Sequence, residues 1–245
     1  MRNISSKQYV VSSRNLIFAF IILTAYFLLP TSIHAQSVDL LWQGEGYNPP
    51  FYQGKNLWST QSRITLVAIP QGLGNAANLN YKWIKNGTIL GNINGIGRNT
   101  LMFSDDILSK SQEIEVEIIS QNKEVLARTS VVIKPSLPIV AVYENSPLYG
   151  FMFHRKIGTS YQMTEPEVTF TAFPLFFNTP VRSNVNLSYL WKTNTGGMET
   201  RDSVTYRIPE NASGSSQVSL EISNKKEITQ SVRQNFLVEF GQTNE

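Results

Sequence analysis

The sequence predicts an all-β protein, with two β-sandwiches in tandem behind an N-terminal signal or anchor helix. Three observations carry this. Short runs alternate apolar and polar residues with a period of two, and turn signals separate them. One ordered set of strand patterns occurs twice, the second copy about 104 residues after the first. Each copy places one Trp at the same point of its pattern.

The chain opens on a segment that is not part of either sandwich. Residues 1–35 contain Arg2, Lys7 and Arg14 and no Asp or Glu. An uncharged run, Leu16 to Leu29, follows, then Pro30 and Thr31-Ser-Ile-His-Ala35. This is the order of a secretory signal: polar positive region, apolar region, cleavage site. The apolar run is shorter than the roughly 20 residues of a spanning helix. Ala35 suits the last position before cleavage, whereas Ile33 is larger than the residue preferred there. The long polar start keeps a second reading open. Residues 1–35 are therefore expected to be a signal peptide or a membrane anchor, and residues 16–29 would meet the membrane only if uncleaved. Positive charge ahead of a single apolar run places the rest of the chain outside the membrane in both cases.

That segment also explains the charge. The chain has 21 Lys and Arg against 18 Asp and Glu, and a pI near 9.0. Three of the basic residues lie in residues 1–35, so the remainder is balanced. No basic stripe is left for phosphate, and a nucleic-acid partner is not expected.

The strands come next. Arg63-Ile-Thr-Leu-Val-Ala-Ile69 turns Ile64, Leu66 and Ala68 to one face. Asn86-Gly87 and Asn94-Gly95 read as turns. Ser104 to Ser109 could form a single helical turn. Glu113-Ile-Glu-Val-Glu-Ile118 alternates strictly, with Ile114, Val116 and Ile118 toward a core and three glutamates toward water. Thr129 to Lys134 follows and ends at Pro135.

The repeat divides the chain. Ile64-Thr-Leu-Val-Ala-Ile-Pro70 matches Val168-Thr-Phe-Thr-Ala-Phe-Pro174, and Leu79-Asn-Tyr-Lys-Trp83 matches Leu187-Ser-Tyr-Leu-Trp191. Ile114-Glu-Val-Glu-Ile118 matches Val218-Ser-Leu-Glu-Ile222, and Val131-Val-Ile133 sits like Phe236-Leu-Val238. Residues 36–136 and 137–245 are expected to be one module each, joined by the short Pro-bounded Lys134-Pro-Ser-Leu-Pro138. Pro50-Phe-Tyr and Pro147-Leu-Tyr also recur, and both read as an edge strand or a sheet-switching segment, where Pro removes a donor.

Leu79, Tyr81 and Trp83 share a strand face, as do Leu187, Tyr189 and Trp191. Tyr81, Trp83, Tyr189 and Trp191 are the expected core anchors, because a Trp on a central strand fills the space between two sheets. Tyr-Lys-Trp83, Asn86-Gly87, Asn99-Thr-Leu-Met-Phe103 and Ile114-Glu-Val-Glu-Ile118, with their counterparts in the second half, resemble an immunoglobulin-like domain of the bacterial PKD-like group. The resemblance covers most of residues 40–240. It implies two tandem immunoglobulin-like sandwiches that serve as spacers or as adhesion and interaction modules of surface proteins, with no catalytic residue. The bridging cysteines of antibody domains are absent from the sequence.

Chemistry-bearing motifs are sparse. The absence of Cys removes a cysteine nucleophile, a thiolate zinc site and a disulfide framework. His154 lies beside Arg155 and Lys156, a poor setting for a metal ligand. Asp105-Asp106 lacks the rest of a calcium loop, and Gly91-Asn-Ile-Asn-Gly-Ile-Gly97 lacks the Lys-Ser/Thr and helix of a phosphate loop. Neither a cofactor nor a metal is expected. Phe173, Phe176 and Phe177 crowd a strand end, and either form an exposed aromatic platform for sugar or peptide or belong to the core. The expected function is that of a non-enzymatic, exported envelope or surface protein with other surface proteins as partners. A carbohydrate-binding or adhesin module, with glycan partners, is the alternative.

Overall fold

The structure, a computed structural model, describes residues 35–241 apart from 106, 108, 109, 209 and 211. The signal or anchor expected over residues 1–35 thus lies outside the described residues but for Ala35, and the helical turn expected over 104–109 is only partly within them. Residues 36–245 form a compact unit with cores of their own.

The first half contains β1 (Ser37–Gly44), β2 (Arg63–Gln71), β3 (Asn80–Lys85), β4 (Thr88–Ile89), β5 (Gly95–Ile96), β6 (Thr100–Ser104), β7 (Gln112–Ile119) and β8 (Val125–Ile133). They pair in two sheets, β1-β2-β6 and β4-β3-β7-β8, with β5 beside β3. The period-two pattern decides which side of each strand is inside. Ile64, Leu66 and Ala68 of one sheet face Tyr81, Trp83, Ile114, Val116 and Ile118 of the other, all fully buried. Asn86 and Gly87 both take positive φ, as a tight hairpin from β3 to β4 requires. Asn94-Gly95 does not make the expected turn. It opens β5, and the Asn94 side chain accepts the Trp83 backbone N–H at 2.8 Å.

The second half contains β9 (Ile139–Ser146), β10 (Gly150–Lys156), β11 (Ser160–Gln162), β12 (Glu167–Leu175), β13 (Leu187–Thr193), β14 (Met198–Glu199), β15 (Ser203–Arg207), β16 (Gly214–Asn224) and β17 (Ser231–Phe240). Here the sheets are β10-β9-β12-β15 and β11-β17-β16-β13-β14. Taking away β10 and β11 leaves the strand order of the first half: β9, β12 and β15 take the places of β1, β2 and β6. Both halves are immunoglobulin-like β-sandwiches in this sense. The added β11 runs parallel to β17 and covers its edge.

The two Trp residues occupy matching environments. Trp83 Nε1 donates to the Arg98 carbonyl at 2.8 Å, and Trp191 Nε1 donates to the Arg201 carbonyl at 2.9 Å. In both halves this carbonyl belongs to the connection toward the last strand of the three-strand set. Tyr81 donates to the Ala76 carbonyl and Tyr189 to the Arg182 carbonyl, again from the same strand position. Each large aromatic thus fills the core while its one polar atom is satisfied.

The glutamate face departs from expectation. Glu117 is buried rather than wet. The register sets it in one row with Lys82 of β3 and Arg128 of β8, at 2.8 Å and 3.8 Å. A cross-strand cation on each side offsets the cost of taking the carboxylate out of water. Strand alternation identifies the face a residue is on, not how thickly long neighbours cover it.

Phenols of the second sandwich that burial keeps protonated, Tyr161, Tyr189 and Tyr206 among them, make stability fall in alkali. Burial, a hydrogen bond donated to Glu144 and the charge of Glu144 push Tyr161 up to about 12. Burial alone pushes Tyr206 up to about 12. Between the ordinary value near 10 and about 12 the unfolded chain has lost these protons while the folded chain keeps them. The contribution of Tyr161 and Tyr206 should therefore be constant below about pH 10 and be lost as pH rises from there to about 12. Denaturant midpoints across that range check this, and Tyr206→Phe should flatten the slope.

Candidate functional site

The junction between the two sandwiches is where side chains from both halves converge. It starts with the connection from β1 to β2, residues 45–62. Pro49 and Pro50 keep this segment from joining either sheet as a ladder strand. The segment is not the edge or sheet-switching strand that the repeat suggested. It crosses onto the outer face of β9, β10 and β12, where alternation has placed Ala141, Tyr143, Phe173 and Leu175. Phe51 and Tyr52 cover that face. Phe51 lies edge-on to Tyr143 at 4.9 Å and to Phe173 at 5.5 Å, and Tyr52 lies edge-on to Phe176 at 5.7 Å.

These contacts correct the aromatic-platform expectation. Phe173 and Phe176 are buried under the connector, and Phe177 is buried in the core of the second sandwich. A strand with apolar residues on both faces needs cover on both, and a single sandwich supplies only one cover. The preceding module supplies the other. Pro147-Leu-Tyr149 departs from expectation too: it forms the exposed turn between β9 and β10, held by Ser146, whose Oγ accepts the N–H groups of Leu148 and Tyr149.

A polar network adjoins the apolar contact. Gln230 is fully buried in the turn from β16 to β17. Its Nε2 donates to Ser59 Oγ at 3.2 Å and to the Thr60 carbonyl at 2.8 Å. Its Oε1 accepts from the Asn178 N–H at 2.9 Å and from Asn224 Nδ2 at 3.0 Å. All four hydrogen-bonding positions of the amide are thereby used. Gln61 Oε1 accepts from the N–H and hydroxyl of Thr229, and the hydroxyls of Thr60 and Thr229 share a bond of 2.8 Å. Close to the join itself, the Ser136 N–H donates to the Trp58 carbonyl, and Trp58 is fully buried in the first core.

The backbone is unusual at the same place. Gln61 and Phe176 have positive φ, at 60° and 63°. That conformation is strained for a bulky residue and persists where surrounding contacts hold it. Here it aims one side chain at Thr229 and the other at Tyr52. Gly46 has no side chain for a related reason: a Cβ there would meet the Phe177 carbonyl oxygen at 2.5 Å. Burial pushes the Tyr47 phenol up, opposed by Arg182 and reinforced by Asp202. Arg182 in turn pairs with Asp202 at 3.0 Å and lies over the Phe173 ring.

An open groove lies elsewhere, beside the β9–β10 turn. It measures about 650 Å³ and is lined by Glu144, Leu148, Tyr149, Arg155, Glu165 and Glu167 among others. Glu144 is held by Arg155 at 3.0 Å and accepts the Tyr161 hydroxyl at 2.7 Å. A carboxylate engaged twice in this way is a structural group rather than a free base. His154 is exposed on β10. Among the described residues, no three His, Asp or Glu come together as ligands for a metal, and no helix is long and apolar enough to cross a membrane.

No protein-family model matches the chain, and no curated protein matches it. Solved structures do overlap it. Fibronectin(III)-like modules of Clostridium thermocellum CbhA are 8% identical, over 82% of this chain and 95% of that one, with a TM-score of 0.27. The ectodomain of mouse nectin-like molecule 4 is 11% identical, over 86% and 67%, at 0.30. Dimeric latent PorU from Porphyromonas gingivalis is 10% identical, over 89% and 25%, at 0.29. The fold rests on the strand order described above and not on these overlaps.

Proposed function

We propose that the chain is a non-enzymatic, exported protein of the cell envelope or surface, whose two immunoglobulin-like modules act as one stiff spacer and interaction surface. The observation that carries this reading is the junction. Two sandwiches on a free linker would need no buried amide with four partners, and no strained Gln61 and Phe176. Those features hold the modules in a set relation, which suits a part that bears or presents surface. Export rests on the charge and apolar order of residues 1–35, as a signal peptide or an anchor. The PKD-like resemblance, with its association with surface spacers, points the same way.

Protease added to intact spheroplasts that produce the chain should digest residues 36–245 without lysis. Full protection until lysis would overturn the placement. A glycosidase and esterase screen of the purified unit should be blank. Turnover abolished by changing one Asp or Glu near Lys134–Pro138 would overturn the non-enzymatic reading.

A further inference from the structure

The contact at the junction has two halves, and the chain carries a second, unused set of both. The first half is a turn segment following the first strand of a module. In the first module it is Pro50-Phe51-Tyr52, which follows β1 and covers the next module. The corresponding Pro147-Leu148-Tyr149 follows β9 in the second module. It covers nothing: Leu148 is 78% exposed and Tyr149 74% exposed.

Strand direction places that tip. β1 runs toward the junction, where Gly44 lies against Leu57 and Trp58. β9 starts at the join and runs away from it, since its first residue pairs with Leu175 at the junction end of β12. The tip after β9 therefore stands at the far end of the second module.

The second half is the outer face that receives the turn. In the second module its centre is Tyr143 and Phe173. The shared pattern Ile64–Pro70 and Val168–Pro174 puts Ile69 at the position of Phe173. The pairings Leu41 with Val67 and Tyr143 with Thr171 put Leu41 at the position of Tyr143. Leu41 is 59% exposed, and Met102 on the same face of β6 is 61% exposed. Four apolar side chains, Leu41, Val67, Ile69 and Met102, thus lie along the outside of β1-β2-β6.

We propose that the β9–β10 turn of one copy docks on the outer face of β1-β2-β6 of a second copy, so that copies join head to tail in the way the two modules of one chain already join. The two surfaces differ, so the contact is heterologous and leaves a free turn and a free face at the ends of any oligomer. The apolar face is smaller and less aromatic than its counterpart at the junction, which makes the contact weak and concentration-dependent. The proposal goes beyond the reading above without depending on it: a monomeric exported spacer would leave that reading intact.

Sedimentation velocity of residues 36–245, the compact unit that holds the described strands, tests it. The unchanged protein should show a mean sedimentation coefficient that rises over about a hundredfold range of concentration, up to about 1 mM. Leu148→Asp with Tyr149→Asp in the turn, or Leu41→Lys with Met102→Lys on the face, should each weaken self-association roughly tenfold or more. All four positions are exposed, so each variant should keep the parent's unfolding midpoint. The decisive arm mixes the two variants. One retains its face and the other its turn, so together they should form a one-to-one pair and nothing larger. An unchanged protein that stays monomeric up to about 1 mM would overturn the proposal. So would self-association that survives in either variant, or a mixture that forms no pair.

Discussion

Trp191→Ala should lower the stability of the second sandwich by about 3–5 kcal/mol, the range for removing a large buried aromatic. The side chain is fully buried between the two sheets, in contact with the core that holds Tyr189, Leu220 and Phe236. Alanine would leave a cavity there, and the Arg201 carbonyl would lose the indole N–H that it accepts. The effect can be assigned to one module, because Trp42, Trp58 and Trp83 all lie in the first half. In this variant Trp fluorescence follows the first sandwich while far-ultraviolet dichroism follows both. The dichroism transition should begin at lower denaturant than the fluorescence transition. Coincident curves at the parent's midpoint would contradict the matched roles of the two Trp residues. Trp83→Ala should destabilise the first sandwich instead, and the fluorescence transition, carried there by Trp42 and Trp58, should move to lower denaturant than in the parent.

Phe173→Ala should have an effect of similar size, about 3–5 kcal/mol, with a different signature. Phe173 faces outward from its own sandwich and inward at the junction, against Phe51, Tyr143 and Phe153. Its loss should therefore separate the modules as well as destabilise the second. Calorimetry of the parent should show one coupled transition, and that of the variant two. Gly46→Ala provides the control. The added methyl would meet the Phe177 carbonyl oxygen at 2.5 Å and push the connector away while leaving the second core intact. It should split the transitions with a smaller total loss. If both variants keep a single transition, the connector does not couple the modules.

These two expectations were unequally visible before the structure. The Trp prediction follows from local pattern. Alternation puts Leu-x-Tyr-x-Trp on one strand face, and the repeat shows that both halves need the same filler. The Phe173 prediction does not. Along β12, Phe170 and Phe173 lie on opposite faces, and both are fully buried. Periodicity states that a residue is on the other side of the sheet. It carries no information about a cover arriving from a distant segment.

The same limit applies to Pro50-Phe-Tyr and Pro147-Leu-Tyr. The sequence shows their likeness, yet one packs on the outer face of β9, β10 and β12 and the other is exposed, a difference that lies in the distant surface each meets. Glu117 illustrates it on a smaller scale: its strand face was legible, and its burial between Lys82 and Arg128 depended on the register of three strands.

The sequence by itself therefore determined the class, the repeat, the facing of each strand and the two Trp anchors, since all of these are set by neighbours within a few residues and by an internal copy. Only the tertiary structure decided what the aromatic residues near 50 and 173–177 do, and that Gln230, Ser59 and Thr60 form one network. Those relations join residues more than a hundred positions apart, and nothing in their local pattern specifies a partner at that separation.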